Sequence, residues 1–239
     1  MRFTALELVE RLQNEQRLGL AWAQQHFETI DDGHFIAVAV NDYECTLVPY
    51  PEFAATIYRG QNEHYEPCLS SLYRTPHSRI DRLIAWIRIV EFQLLLSEHP
   101  AVVDFCNWSV MGHRLRIDYE GLAQHYHLET ELIDFTSNPL VAAFFACCEY
   151  NKDSREYRPI MRAEKEGIIY TFNAAAEIST RPEESYLSAV GLQPLPRPAE
   201  QYAWGYRLPG GSFLEFAAFC VSLFICPRSE VISKDIRVF

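Results

Sequence analysis

Apolar residues recur at helical spacing in two segments of the first hundred residues. The first series follows Thr4, and Thr4 with Glu7 has the form of a capping box, so a helix is predicted over about residues 5–16. The second series predicts a long helix over residues 79–98 with one buried stripe. The members of that stripe are Ile80, Leu83, Ile84, Ile87, Val90, Leu94 and Leu95.

Shorter apolar runs predict strands. Residues 34–49 contain two such runs on either side of Asn41-Asp42, which predicts a hairpin. Residues 181–211, rich in Pro and Gly, are predicted to form an ordered surface excursion. Further strands are predicted at "ATIYRG" (55–60), "GIIYTF" (167–172) and "FCVSLFICP" (219–227), and a short buried strand or extended turn is predicted at "ELIDF" (131–135).

Two further helices have recognisable N-terminal residues. Asp118 can cap a helix that carries Leu122 and His125, and Asn138 can cap a helix with Pro139 at its first position. The run after Pro139 is almost entirely apolar, which predicts a buried helix. Strands that alternate with helices in this way favour an α+β fold, with a mixed or antiparallel sheet core and packed helices.

A single domain is predicted over residues 1–239. Its motif-bearing core spans about residues 54–150, with an N-terminal helix and hairpin in residues 1–50 and C-terminal strands in residues 167–239. The apolar stretches are far shorter than the ~20 residues that a membrane-spanning helix needs. Acidic residues also stand near the N-terminus, where a signal peptide would be apolar. We therefore expect a cytoplasmic protein with no membrane partner.

Charge and cysteine content narrow the classes of function. A net charge of −11 argues against sequence-independent binding of nucleic acid, which requires a basic surface. The seven cysteines include no Cys-x-x-Cys pair, so reduced, buried thiols are favoured over a zinc or disulfide framework. His125 and His127 stand two residues apart near one predicted helix, where side chains diverge, so no metal site is expected.

Two segments carry the candidate chemistry. Arg59 and Gly60 end a predicted strand, where a fixed cation stands beside backbone that can approach a ligand closely. Asp134 lies among apolar neighbours just before a helix N-terminus rich in short polar side chains, and such a terminus favours anions. We expect both segments to surround one accessible cavity that binds a phosphate-containing or nucleotide ligand. The candidate ligand-binding residues are Tyr58, Arg59, Gly60, Gln61, Gln124, His125, Asp134, Thr136, Ser137 and Asn138.

Purely structural roles are the alternative for several of these residues. Arg59 and Asp134 could form a buried ion pair that does no chemistry. His125 could be a hydrogen-bonded core histidine, and Thr136 to Asn138 serve as helix-capping residues whatever the function.

Two motifs in this chain, "IYRGQ" and "LAQHYHLETELIDFTSNPLVAAFFA", resemble the FRG domain family. That family is named for a Phe/Tyr-Arg-Gly motif and carries a downstream pattern like QHYG-PTRLLDWT-NPLVALFFA. The resemblance covers roughly residues 54–150, and the chain departs from the pattern at His127, Glu129, Glu131 and Phe135, with Glu131 in the place of an arginine. It implies a domain found widely in bacteria and phages, and it supplies no established reaction.

The order of the motifs is also similar to that of ADP-ribosyltransferases. An arginine on an early strand precedes an aromatic-Ser/Thr-Ser/Thr element, and a glutamate follows late in the chain. This similarity implies NAD as a substrate, with Arg59 on the diphosphate, Thr136 and Ser137 on a ribose, and Tyr58 or His125 near the nicotinamide. The residues it implies as catalytic are Glu215, with Glu230 as the other candidate glutamate, Arg59 and Ser137.

Three functions stay open on this reasoning. The first is an ADP-ribosyltransferase or NAD glycohydrolase, acting on a nucleotide-like small molecule with or without a protein acceptor. The second is a non-catalytic recognition module in bacterial stress or phage defence. The third is a structural domain whose motifs serve only packing.

Overall fold

The structure is a computed structural model that describes residues 3–26, 35–49, 56–151, 153–160, 166–174, 187–208 and 220–225. The helices in these ranges are α1 (Ala5–His26), α2 (Ser71–Arg74), α3 (Arg79–Ser97), α4 (Pro100–Cys106), α5 (Tyr119–His125), α6 (Pro139–Cys147) and α7 (Arg197–Glu200). The strands are β1 (Phe3–Thr4), β2 (Phe35–Ala39), β3 (Glu44–Pro49), β4 (Thr56–Gln61), β5 (Ser109–Val110), β6 (His113–Leu115), β7 (Leu132–Thr136), β8 (Cys148–Asn151), β9 (Glu156–Pro159), β10 (Glu166–Asn173), β11 (Leu187–Ala189), β12 (Ala203–Arg207) and β13 (Cys220–Ile225).

The main sheet has seven strands in the order β1-β13-β10-β4-β7-β12-β11. Its pairs are antiparallel except for β1 with β13, which is parallel. A second sheet has the order β2-β3-β6-β5, and β8 pairs with β9 as a separate hairpin. Both the α+β class with a mixed sheet and the predicted hairpin of β2 and β3 are confirmed.

Helices α1 and α6 pack on one face of the main sheet. Tyr58 from β4 and Ile169 from β10 point into this layer, where they meet small residues of α6 such as Ala142. The opposite face has its own core, in which Phe135, Phe172 and Trp204 come together. Because side chains alternate along a strand, Arg59 of β4 points away from the face that holds Tyr58.

The sheet splits between β4 and β7. Their register contains a single pair, Tyr58 with Thr136, after which the two strands diverge. By contrast, β4 pairs with β10 at every position from Thr56 to Gln61. Beyond the single pair, the backbone N–H and C=O groups of β4 and β7 therefore face a gap. Side chains or a ligand must supply their hydrogen-bond partners.

The helix starts follow the predicted caps. Thr4 and Glu7 form the capping box of α1, Asp118 accepts a hydrogen bond from the Gly121 amide, and Asn138 accepts one from the amide of Leu140. The predicted end of the first helix near residue 16 is wrong, because α1 continues to His26. Leu18 and Trp22 in its last turns are exposed, so the helix continues there without burying its large apolar side chains.

The predicted buried stripe of α3 is wrong. All seven residues assigned to it are exposed in the part of the chain that the structure describes, whereas Ala85 and Ile89 are buried. Helix α3 contacts α5 and α4, and only a narrow face of it is covered. Apolar spacing gave the helix correctly but not the direction of its core-facing side.

The predicted surface excursion over residues 181–211 is also wrong where it is described. It supplies strands β11 and β12, and β12 lies inside the main sheet next to β7. Trp204 on β12 is buried in the core. Because this segment is rich in Pro and Gly, its sequence did not predict the two short strands, whose stability comes from tertiary packing.

Four of the five cysteines with described side chains are buried thiols, and Cys106 is exposed. Among the described residues no cluster of metal-ligating side chains is found. Within the same ranges no helix has the length and apolarity to cross a bilayer.

Candidate functional site

A cavity of about 550 Å³ opens where β4 and β7 diverge. Strands β4 and β7, helices α2, α5 and α6 and the β8–β9 hairpin all contribute to its walls. Its lining consists of Tyr58, Arg59, Gly60, Gln61, Asn62, Tyr65, Ser71, Arg74, Gln124, His125, His127, Leu128, Glu129, Asp134, Phe135, Thr136, Val141, Phe145, Cys148, Tyr150, Tyr157 and Gln201. Two segments that lie far apart in the sequence therefore meet at one hollow.

Arg59 bridges the split in the sheet. Its Nη1 donates a hydrogen bond of 2.8 Å to the backbone carbonyl of Asp134, a group that a continued β4–β7 ladder would have satisfied. Its Nε is buried without a hydrogen-bond partner in the described structure. Among the described residues no ion pair joins Arg59 to the carboxylate of Asp134, so the buried ion pair is not formed. The guanidinium is fixed in place while part of its donor capacity stays unused.

Gln124 holds the carboxylate of Asp134 instead. The Nε2 of Gln124 donates to Oδ2 of Asp134 at 3.0 Å, while its Oε1 accepts hydrogen bonds from the hydroxyls of Ser71 and Thr130. Two hydroxyl donors on the oxygen fix the orientation of the amide, so its NH2 group must face Asp134. Helix α5 thus positions an acidic group at the cavity wall.

Arg74 is a second arginine in the cavity, and the sequence reasoning missed it. Although it is exposed by surface area, the protein atoms around its guanidinium desolvate the charge and lower its pKa. The charge of Arg59 lowers that pKa further, and the charge of Asp134 opposes the shift. Arg74 ends the short helix α2 just before a loop, and no periodicity or motif marked it as a site residue.

Aromatic side chains form another part of the wall. The ring centroids of Tyr150 and Tyr157, in the β8–β9 hairpin, lie 5.1 Å apart. The ring centroid of Phe145 in α6 lies 5.7 Å from that of Tyr157. His127 lies 5.7 Å from the ring of Tyr150. Sequence reasoning missed this group because its members lie on different elements and follow no shared spacing.

The other predicted residues of β4 have mixed positions. Tyr58 is 1% exposed and packs in the α1–α6 core, where burial and then the charge of Glu15 raise its pKa. Gln61 also lines the cavity, and its Oε1 is buried without a partner in the described structure.

Gly60 lines the cavity and also lies against α6. A Cβ at this position would lie 1.7 Å from the carbonyl oxygen of Ala142. The close approach of α6 is therefore sufficient reason for a glycine here, and the approach of a ligand to its backbone stays a prediction.

The polar residues at the end of β7 differ in their position relative to the cavity. Thr136 lines the cavity, but its hydroxyl already donates to the Gln201 carbonyl at 2.7 Å. Ser137 and Asn138 are not brought to the cavity: the Ser137 side chain is buried, and the Asn138 side chain caps α6. Neither residue lines the cavity in the described structure, because the chain turns after Thr136 to begin α6 at Pro139, and their contact with a ligand stays a prediction.

The two histidines differ in environment. His125 is buried, and its Nδ1 lies 2.8 Å from the Gly121 carbonyl, which assigns the proton to Nδ1. His127 lines the cavity, and its pKa is lowered by burial and then by the charge of Arg197, against the opposing charge of Asp134. This shift favours the neutral form of His127.

The carboxylates that line the cavity in the described structure are Asp134 and Glu129. Glu129 Oε1 lies 3.3 Å from the ring of His77. The two glutamates implied by the similarity to ADP-ribosyltransferases, Glu215 and Glu230, lie outside the described residues.

Of the polar residues near β12, one lines the cavity and others make contacts in the surrounding structure. Gln201 lines the cavity, and Arg197 lies 5.9 Å from the ring centroid of Tyr126. Arg207 pairs with Glu120 and Glu131, and Glu131 also accepts a hydrogen bond from Tyr73. The glutamate that replaces the usual arginine of the motif thus belongs to a structural network beside the cavity.

These features define an α+β protein with a polar, partly aromatic cavity at a split in its main sheet. Residues 54–155 match the family model described as FRG domain, so the chain contains an FRG domain, as the motifs predicted. No curated protein and no solved structure matches the chain. The similarity to ADP-ribosyltransferases stays a hypothesis from the order of the motifs.

Proposed function

We propose that this FRG domain binds a nucleotide-like ligand that carries phosphate. The observation that supports this function is the guanidinium of Arg59, which lines the cavity, is held by a backbone carbonyl and has no carboxylate partner among the described residues. A guanidinium that is oriented in advance loses little freedom on binding and can meet a phosphate through two parallel hydrogen bonds.

The rest of the cavity suits the other parts of such a ligand. The rings of Tyr150 and Tyr157 offer flat apolar surface for a base or nicotinamide ring. The carboxylate of Asp134 accepts a hydrogen bond from Gln124 on Oδ2. Its other oxygen, Oδ1, is free within the described structure to accept a hydrogen bond from a ribose hydroxyl. A cation, a carboxylate and aromatic faces within one cavity favour a nucleotide over an inorganic anion.

The catalytic form of this proposal is cleavage of NAD. The bond between nicotinamide and C1′ of the ribose breaks, nicotinamide leaves with the electron pair, and water or a protein acceptor adds to C1′ and loses a proton. Arg59 holds the diphosphate, and a carboxylate stabilises the positive charge that develops on the ribose. Glu215 is the glutamate proposed for that role, and Asp134 is one of the two carboxylates that line the cavity.

The test is nicotinamide release from NAD by the purified protein. We expect turnover by the wild type and a loss of at least about a hundredfold in Glu215→Gln if Glu215 stabilises the transition state. Asp134→Asn keeps the size of the side chain and measures the contribution of the second carboxylate in the same assay. No release by the wild type, together with no change in Tm on adding NAD, contradicts the enzymatic form.

A non-catalytic recognition module is the second candidate, in bacterial stress or phage defence with a signal nucleotide or a protein as partner. The described cavity favours it in one respect, because its carboxylate Asp134 is engaged by Gln124 and binding requires no further acid. A module loses ligand in Arg59→Ala and is unaffected by Glu215→Gln. A transferase keeps binding in Glu215→Gln and loses turnover.

Melting curves of Arg59→Ala separate both candidates from a purely structural role. If Arg59 serves packing alone, the variant unfolds or melts far below the wild type, and no ligand changes the Tm of either protein. If Arg59 serves a ligand, the variant folds and only the shift caused by ligand is lost.

A further inference from the structure

We propose that Arg74 is a second phosphate-binding residue of the cavity, which makes the site selective for two linked phosphates over one. The inference rests on the proposed function, because it assumes that Arg59 already holds one phosphate. It concerns a residue that lies outside both family motifs and that the sequence does not distinguish from other arginines.

The first support is the position and bonding of Arg74. It lines the same cavity as Arg59. Its side chain makes no hydrogen bond and no ion pair with any residue that the structure describes. An arginine fork has five N–H donors, so an unpaired fork at a cavity wall has its full capacity available for an anion.

The second support is electrostatic. Desolvation is the largest cause of the lowered pKa of Arg74, and the positive charge of Arg59 is the next. Two like charges that share a partly desolvated space repel each other unless an anion lies between them. The same cavity is also lined by the carboxylates of Asp134 and Glu129, and neither forms an ion pair with Arg59 or Arg74 in the described structure.

The third support is the bonding of the carboxylate of Asp134, which also lines the cavity. Asp134 contributes to the electrostatics of Arg74 without forming a contact short enough for an ion pair. Its Oδ2 is occupied by Gln124. Both guanidinium groups are therefore without a direct carboxylate contact in the described structure, and a diphosphate, which carries more than one negative charge over two phosphorus centres, fits two guanidinium groups better than a monophosphate does.

The test compares ADP with AMP by isothermal titration calorimetry at about 0.15 M ionic strength, where surface charges are screened. We expect the wild type to bind ADP about tenfold or more tightly than AMP, as an additional charge-assisted contact warrants. Arg74→Gln should retain AMP binding within about threefold while the preference for ADP falls to about twofold or less. Arg88→Gln, which removes one positive charge from exposed α3, serves as the matched control and should keep the wild-type preference.

Each outcome decides the inference. An unchanged ratio of ADP to AMP affinity in Arg74→Gln overturns it while leaving the proposed function intact, since ligand still binds. Binding of neither nucleotide by the wild type overturns both. If Arg74→Gln fails to fold, Arg74→Lys carries the same comparison, because lysine keeps the charge but loses the bidentate fork. A smaller preference in Arg74→Lys than in the wild type supports the inference, and an equal preference overturns it.

Discussion

At the scale of single residues, the Arg-Gly pair of β4 divides its tasks between the two faces of the sheet. Arg59 points into the cavity and donates across the split to the Asp134 carbonyl. Gly60 points to the opposite face, where α6 comes so close that a methyl group has no room. The motif therefore combines a cation that faces the cavity with a packing requirement, and only the first of these concerns the proposed binding.

Replacing Gly60 by alanine should destabilise the protein. The added Cβ would stand 1.7 Å from the Ala142 carbonyl oxygen, so β4 and α6 must move apart, at a cost of about 1–3 kcal/mol in the free energy of unfolding. Urea unfolding measures this cost. Gly19→Ala, at an exposed position of α1, is the control, because its added Cβ would meet no neighbouring atom within 4 Å and helix propensity favours alanine by about 0.5–1 kcal/mol. Equal stability of the two variants contradicts the account.

At the scale of elements, α3 shows how a helix can be recognised without its buried side being recognised. The apolar spacing selected a stripe that includes Ile87, yet Ile87 is 47% exposed and Ile89 is 7% exposed. The helix is apolar on more than one side, so periodicity alone does not distinguish the face that contacts α5. The contact between Phe92 and Tyr126 marks the covered face.

The two isoleucines provide a matched comparison. Ile89→Ala should lower the free energy of unfolding by about 2–4 kcal/mol, because it removes buried side-chain atoms and leaves a cavity. Ile87→Ala should change it by less than about 1 kcal/mol, since that side chain is largely solvated. Denaturant unfolding of both variants checks the difference, and a larger loss in Ile87→Ala would restore the stripe predicted from the sequence.

At the scale of the whole molecule, the site exists because the main sheet splits. Divergence of β4 from β7 opens the cavity, and α2, α5, α6 and the β8–β9 hairpin close its sides. The side chains that face one another there come from segments more than a hundred residues apart, from Arg59 to Gln201. The same sheet carries large buried tyrosines, and these couple the stability of the molecule to pH.

Tyr170 illustrates that coupling. Burial raises its pKa to about 12, so the folded state keeps a proton that the unfolded state releases near pH 10. The stabilisation is complete below about pH 10 and is lost as the pH rises towards 12, because the folded state then binds more protons than the unfolded state. We expect the free energy of unfolding to fall by up to about 1.4 kcal/mol per pH unit through this residue. Urea unfolding at several alkaline pH values should show a shallower decline in Tyr170→Phe, and identical slopes would refute the assignment.

Local chemistry in the sequence was sufficient for much of the scaffold and for part of the site. Caps such as Thr4 with Glu7 and Asn138 marked helix starts, since the side-chain and backbone groups involved are neighbours in the chain. Arg59 and Asp134 were found through their motifs. Arg74 and Tyr157 could not be found in this way, because their place in the cavity depends on how α2 and the β8–β9 hairpin pack against a sheet that diverges.

The most direct test of the central claim is a crystal structure of the protein with ADP-ribose. We expect the diphosphate in the cavity between β4 and β7, with a phosphate oxygen about 2.7–3.0 Å from the guanidinium of Arg59. ADP-ribose bound elsewhere, ADP-ribose in the cavity with its diphosphate away from Arg59, or an empty cavity at a saturating concentration would contradict the claim.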